Sequence, residues 1–232
     1  VTSAIAPART PSQGLSITER NRAFLVSFPG TVRACSWAIV GGGIVDADHV
    51  AWIEVTNSEL GPAVDARVFL RERLRHEGVE RAVGLLTSRA LSSRIESSAR
   101  IGDVTATCIA TVGLGNALRA GDSPWPAAVV GTINVLAYTD VPLSDEALVE
   151  ATAIATEAKS AALFDRGVRS RRSRALATGT GTDCTVAACP ISRAHDVREY
   201  AGKHTDVGAA IGSAVERAIG DGIDRWRRDV VA

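Results

Sequence analysis

The segment from Ser144 to Gly167 constrains this chain more than any other. Ser144 is a good N-cap, Asp145 and Glu146 suit a first turn, and Gly167 follows Arg166 where a helix would stop. Leu148, Ala151, Ala155, Ala158 and Ala162 give it a stripe of mostly small residues. A helix with such a stripe can press close against a sheet, and the runs before and after it read as strands. On another face Thr152, Thr156 and Lys159 line up, while Glu157, two residues from Lys159, points elsewhere. The expectation is an α/β fold, a single domain in which a mixed β-sheet is packed by three or more helices.

The rest of the chain supplies the strands. The stretch Leu15–Val55 reads as β, with strands at Arg22–Phe28, Arg33–Val40 and Val45–Val55, the second running into Gly41-Gly42-Gly43. A helix opens at Pro62 and ends at about Glu77 before Gly78, with Val64, Val68, Leu70 and Leu74 on one side. Strands follow at Ala82–Thr87, Arg94–Ile101, Val104–Val112, Ala127–Thr139 and Thr185–Cys189. A last helix runs from near Thr205 to about Arg228, with Val207, Ile211, Val215 and Ile219 on its inner face. Residues 1–14, rich in Ala, Pro, Ser and Thr, read as a flexible tail rather than a signal peptide, leaving 15–232 as the domain.

Composition excludes several function classes. Lys plus Arg equals Asp plus Glu at 26 each, so no general positive field is available for nucleic acid or a membrane surface. Aromatic residues are 4% of the chain, too few for a base-stacking platform. Cys35, Cys108, Cys184 and Cys189 form neither Cys-x-x-Cys nor a zinc-finger set, and read as free thiols in a reducing cytosol. No apolar run approaches a membrane span, so the location expected is cytoplasmic. No cofactor and no metal site is expected, and the partner is a small molecule, with self-association left open.

One run carries the clearest chemical signal: Ala177-Thr178-Gly179-Thr180-Gly181-Thr182-Asp183-Cys184. If extended, it places Thr178, Thr180 and Thr182 on one face and Gly179, Gly181 and Asp183 on the other. Glycines inside a strand signal close approach of something to the backbone, and a flat ligand beside one carboxylate would fit; a mobile Gly/Thr turn is the alternative. Gly202-Lys203-His204-Thr205 is not a P-loop, because Val197 stands where the first glycine belongs and His204 where Ser or Thr is needed. His204 beside a carboxylate could take a proton from water, or could simply cap a helix. Cys184 could be a nucleophile only with a lowered pKa; otherwise it is a small buried thiol.

The chain resembles the adenosylcobinamide amidohydrolases, the CbiZ family. The resemblance lies in residues 177–183, in Tyr200-Ala201-Gly202-Lys203-His204-Thr205 with Gly208 and Ile211-Gly212, in Gly131-Thr132-Ile133-Asn134, and in Thr156-Glu157-Ala158-Lys159 with Ala162-Leu163. Weaker matches are Val83-Gly84-Leu85-Leu86-Thr87 and Thr111-x-Gly113-Leu114-x-Asn116-Ala117. The chain departs from the family pattern at Cys35-Ser36-Trp37 and at Trp52.

The resemblance implies hydrolysis of the amide joining aminopropanol to the corrin side chain, giving adenosylcobyric acid in corrinoid salvage for cobalamin biosynthesis. The cobalt corrinoid is then the substrate. Joined to the residue reading, the corrin would lie on Thr178, Gly179, Thr180, Gly181 and Thr182, with Asn134, Thr156 and Lys159 helping to bind it. Asp183 or His204 would activate water without a metal, Lys203 or backbone N–H groups at the start of the last helix would hold the oxyanion, and Glu157 would be in reserve to protonate the leaving amine. The alternatives are a non-catalytic corrinoid-binding or regulatory protein of the same fold, and an amidohydrolase for a nucleotide-like substrate whose phosphate meets Arg166, Arg169, Arg171, Arg172 and Arg174.

Overall fold

The computed structural model describes residues 14–56, 58–61, 63–124, 131–191 and 196–231. Residues 1–13 of the tail expected at 1–14, the helix start at Pro62 and the first residues of the strand expected at Ala127–Thr139 lie outside these. The strands are β1 (Ser16–Arg20), β2 (Ala23–Ser36), β3 (Gly43–Glu54), β4 (Ala82–Thr87), β5 (Ile95–Ile101), β6 (Val104–Val112), β7 (Ala117–Leu118), β8 (Ile133–Thr139), β9 (Gly179–Thr180) and β10 (Cys184–Pro190). The helices are α1 (Ala66–His76), α2 (Asp145–Asp165) and α3 (Asp206–Val231).

The expected mixed sheet is present, ordered β4-β3-β2-β10-β8-β6-β5, with β1 paired antiparallel to the first half of β2. The pairs β3–β4 and β10–β8 are parallel, and the other pairs in the sheet are antiparallel. β7 and β9 form a separate two-stranded ribbon. The two strands expected at 22–28 and 33–40 are one bent strand, β2. Its register against β3 shifts between Ser27 and Val32, so Pro29 falls in an irregularity that asks no ladder N–H of it. Residues 37–39 leave β2 instead of extending it, and Val40 bridges to Gly84 on the outer side of β4, with Gly84 N donating to Val40 O at 3.0 Å. Gly41 and Gly43, at φ +72 and +91, then reverse the chain into β3, a conformation that disfavours other residues.

The sheet curls. Phe24, Trp52, Leu85, Ile109, Leu136 and Val186, from six different strands, pack into one core on its concave side. α1 covers part of the convex side through Leu70 and Leu74, capped by the Asp65 carboxylate. α2 and α3 cover the rest. The small stripe of α2 is buried at Ala151, Ala155 and Ala162, and Ser144 Oγ caps the helix by accepting from Ala147 N at 3.1 Å. α3 starts where expected, with Thr205 Oγ1 accepting from Gly208 N at 3.0 Å, and buries Val207, Ile211, Val215 and Ile219. Among the described residues no helix is long and apolar enough to cross a membrane.

Candidate active site

A cleft of about 890 Å³ opens where the curled sheet fails to close. One wall is the edge strand β4 with Leu86, Thr87 and Ser88; the other is the start of β8 and β10, with Thr132, Asn134 and residues 181–184. Trp37 and Leu60 line its mouth. Curling brings β4 within reach of β8 although three strands separate them in the sheet, and Asn134 Nδ2 donates to Leu86 O at 2.7 Å across the gap. Among the described residues that line the cleft there is no Lys, Arg or His.

Asp183 anchors the floor. Its Oδ2 accepts from Lys159 Nζ at 2.5 Å and from Thr180 N at 3.0 Å, and its Oδ1 accepts from Ile133 N at 3.0 Å and from Thr180 Oγ1. Four donors meet about four lone-pair sites, so the carboxylate is filled. The Lys159 and Asp183 side chains are 5% and 8% exposed, and each charge depends on the other for its burial. The backbone carbonyl of Asp183 accepts from Trp37 Nε1 at 2.6 Å, which ties the cleft mouth to its floor.

Neutral polar groups surround this anchor. Thr132 Oγ1 and Thr182 Oγ1 share a hydrogen bond of 2.6 Å. Asn134 is fully enclosed, and its register partners are Thr111 on β6 and Cys184 on β10. Asn116 is buried at 8% exposure and lines the cleft, and its Oδ1 has no hydrogen-bond partner. That oxygen is enclosed beside Gly131, while the Nδ2 lies toward Gly181 on the cleft lining. Cys184 also lines the cleft, but burial pushes its thiol up to about 12, so it carries no thiolate at neutral pH.

The alternation expected over 177–184 does not hold. Only Gly179–Thr180 is strand, paired with Ala117–Leu118; a turn at Gly181 and Thr182 follows, and β10 begins at Cys184. The turn folds Thr180 onto Asp183, two residues expected on opposite faces. Close approach at Gly179 is real, but what approaches is the protein's own ion pair. A Cβ there would lie 2.2 Å from Asp183 Oδ2 and 2.9 Å from Lys159 Nζ. Gly181 and Thr182 border the cleft, whereas Thr178 turns its Oγ1 to Ala120 N and its carbonyl to Ser160. Thr156 Oγ1 donates to Thr152 O within α2.

The residues expected to work beside Asp183 are not beside it. Lys203 Nζ pairs with Glu157 Oε2, both side chains are mostly exposed, and neither residue borders the cleft. His204 is exposed at the start of α3 and is likewise not a lining residue. The reason lies in α2. The segment before α3 is held to that helix at Glu150, through Ala201 N at 2.7 Å, and at Glu157, while Asp183 is held at Lys159. Glu150 and Lys159 are separated by about 13 Å of helix rise, and Glu157 and Lys159 project about 200° apart. Trp52, a departure from the family pattern, is fully buried against Phe24 at 5.0 Å between ring centroids and belongs to the core; Trp37 reaches the cleft. Sequence reasoning missed Asn116 as a site residue, although the segment carrying it was one of the weaker family matches.

The chain matches the adenosylcobinamide amidohydrolase family over residues 8–230. A Methanosarcina mazei protein named adenosylcobinamide amidohydrolase is 33% identical over 164 residues, which is 67% of this chain and 74% of that protein. Among solved structures, the chain aligns with a Burkholderia sp. β-aminopeptidase at 14% identity and a TM-score of 0.49, over 88% of this chain and 78% of that one. It also aligns with the L-aminopeptidase D-Ala-esterase/amidase of Ochrobactrum anthropi at 14% identity and a TM-score of 0.46, over 91% of this chain and 83% of that one. The match along nearly the whole chain places this protein in the adenosylcobinamide amidohydrolase family, a family of hydrolases.

Proposed function

We propose that this protein hydrolyses the amide joining aminopropanol to adenosylcobinamide, releasing adenosylcobyric acid. Beyond family membership, one observation supports the reading. The cleft offers carboxamides and hydroxyls over a buried, mutually compensating Lys159–Asp183 pair, with no cationic side chain among the described residues of its lining. Such a lining suits an uncharged secondary amide on a large ring better than a phosphate. The arginines at 166–174 are absent from it, so the nucleotide-like substrate loses its proposed contact.

Water adds across the carbon–nitrogen bond: its oxygen bonds to the carbonyl carbon, the amine leaves, and protons pass from water to that amine. In this reading Asp183 is a positioning residue, because its oxygens are already filled. It fixes Lys159 and Thr180 behind the cleft floor. The Nδ2 of Asn116, which lies toward Gly181 on the cleft lining, donates to the substrate amide carbonyl, and the Thr132–Thr182 hydroxyl pair holds the attacking water. His204, Lys203 and Glu157 have no part in the step.

The test is mass spectrometry of purified protein with adenosylcobinamide, metal-free and then with divalent ions. Adenosylcobyric acid is the expected product without added metal. Asn116→Ala is expected to lose at least about tenfold in turnover through misorientation, while His204→Ala keeps it. Tight corrinoid binding with no product under either condition would replace this reading with the non-catalytic one. Product only with added metal would keep the reaction and overturn the unaided water.

A further inference from the structure

A second cavity, of about 280 Å³, lies between the loop after α2 and the end of α3. Arg169, Arg171, Arg174 and Arg227 surround it, Trp226 contributes an indole, and no carboxylate is among the described lining residues. Some arginines elsewhere are met by acids, as Arg20 is by Glu77, Arg33 by Asp46 and Asp145, and Arg94 by Glu19 and Glu96, while others are spread singly over the surface; here four converge on one hollow. None of the four cavity arginines forms an ion pair among the described residues. Two nearby acids are engaged: Asp122 accepts from Ser170 Oγ at 2.5 Å and from Arg119 N at 2.8 Å, and Asp224 pairs with Arg166. Arg227 Nη2 donates to Arg166 O at 2.5 Å, which leaves its charge uncancelled; in a chain of zero net charge, four guanidinium groups without a carboxylate partner around one hollow form a concentrated positive field.

The loop is built to hold them there. Ser170 is buried, and its hydroxyl accepts from Arg172 N and Ser173 N. Arg169 Nη1 donates to Arg174 O at 3.0 Å, and Arg174 sits at φ +64, a left-handed conformation that costs a non-glycine residue energy. Arg171 N donates to Ala117 O at 2.8 Å, docking the loop on β7. Leu114 and Ala117 line this cavity while Asn116, between them, lines the cleft, so the two sites share a wall.

We propose that this cavity is a binding site, separate from the cleft, for a phosphate-bearing small molecule. Guanidinium forks bind phosphate oxygens in pairs, and the indole offers a face to a ring attached to the phosphate. The site stands independently of the amide-hydrolysis reading.

The test is isothermal titration of the full chain with inorganic phosphate and with adenosine monophosphate, at ionic strength fixed with chloride, against Arg171→Ala/Arg174→Ala. Both side chains are exposed, and an unchanged Tm verifies that the variant folds. Saturable binding by the wild type, weakened at least about tenfold in the variant, is expected. Binding of both probes to similar strength identifies phosphate alone as the ligand; preference for the mononucleotide adds the ring. No saturable binding, or equal binding by the variant, overturns the proposal. So does a steeply salt-dependent preference for a single-stranded oligonucleotide, which would make the patch a nucleic-acid surface.

Discussion

Four donors converge on the Asp183 carboxylate, and its removal would leave all of them unmatched. Asp183→Ala strands the buried Lys159 charge together with Ile133 N, Thr180 N and the Thr180 hydroxyl. Lys159→Met leaves a carboxylate that still has three donors. Breaking a buried pair from one side costs about 3–5 kcal/mol, roughly 6–20 °C in Tm for a domain of this size. Thermal unfolding should therefore show a deep loss in Asp183→Ala, a shallower one in Lys159→Met, and a double variant well short of their sum. Equal losses that simply add would contradict the shared network. Part of this was legible in the sequence, since the glycines at 179 and 181 announced a close approach and Asp183 stood out as a lone carboxylate. What approaches Gly179 could not be read, because Lys159 lies 20 residues earlier and reaches it only through packing. The same holds for His204, whose position in a shared signature said nothing about distance in space.

At the scale of elements, the long periodic segments were legible and the short pairings were not. α2 and α3 carry caps and buried stripes that local chemistry dictates. β7 and β9 are two residues each, too short for any period, and exist because the ribbon folds over the cleft floor. β1 is short and almost wholly exposed, so no apolar alternation marked it out within the β-rich start of the chain. Beyond its pairing with β2, it is fastened at its end: Arg20 Nε donates to Glu77 Oε2 at 2.9 Å and Arg20 Nη2 to Glu77 O at 2.6 Å, at the C-cap of α1. The Glu77 side chain is 1% exposed. Burial works against its charge, but Arg20, Asn21 and His76 together outweigh it and hold the carboxyl below its ordinary 4.5. A depressed folded pKa contributes stability that is complete above the unfolded value and is lost as pH falls through the folded one. The gap in urea midpoint between wild type and Glu77→Gln should thus be widest near neutrality and narrow below roughly pH 4. A gap independent of pH would show that shape, not charge, holds β1 to α1.

For the whole molecule, the decisive feature is how far the sheet curls. Two helices press the convex side of one half and α1 presses the other, while the concave side fills with Phe24, Trp52 and Leu136. Curling stops at the cleft, where β4 and β8 face each other and the Asn134–Leu86 hydrogen bond spans the gap. Strand order across a curled sheet depends on pairings far apart in sequence, so a mixed sheet could be expected from the chain but its order and its opening could not. If that bond tethers the β4 edge, Asn134→Leu should free β4 locally without loosening the helical layer. Losing one buried hydrogen bond of about 1–2 kcal/mol corresponds to roughly 5–30-fold faster local opening. Native-state hydrogen exchange should show that acceleration at Gly84–Thr87 and leave α3 amides such as Ile211 and Val215 at wild-type rates. Uniform acceleration would mean that Asn134 supports the global core instead. Unchanged exchange at β4 would mean that packing by α1 and the Val40–Gly84 bridge fix the cleft's width without it.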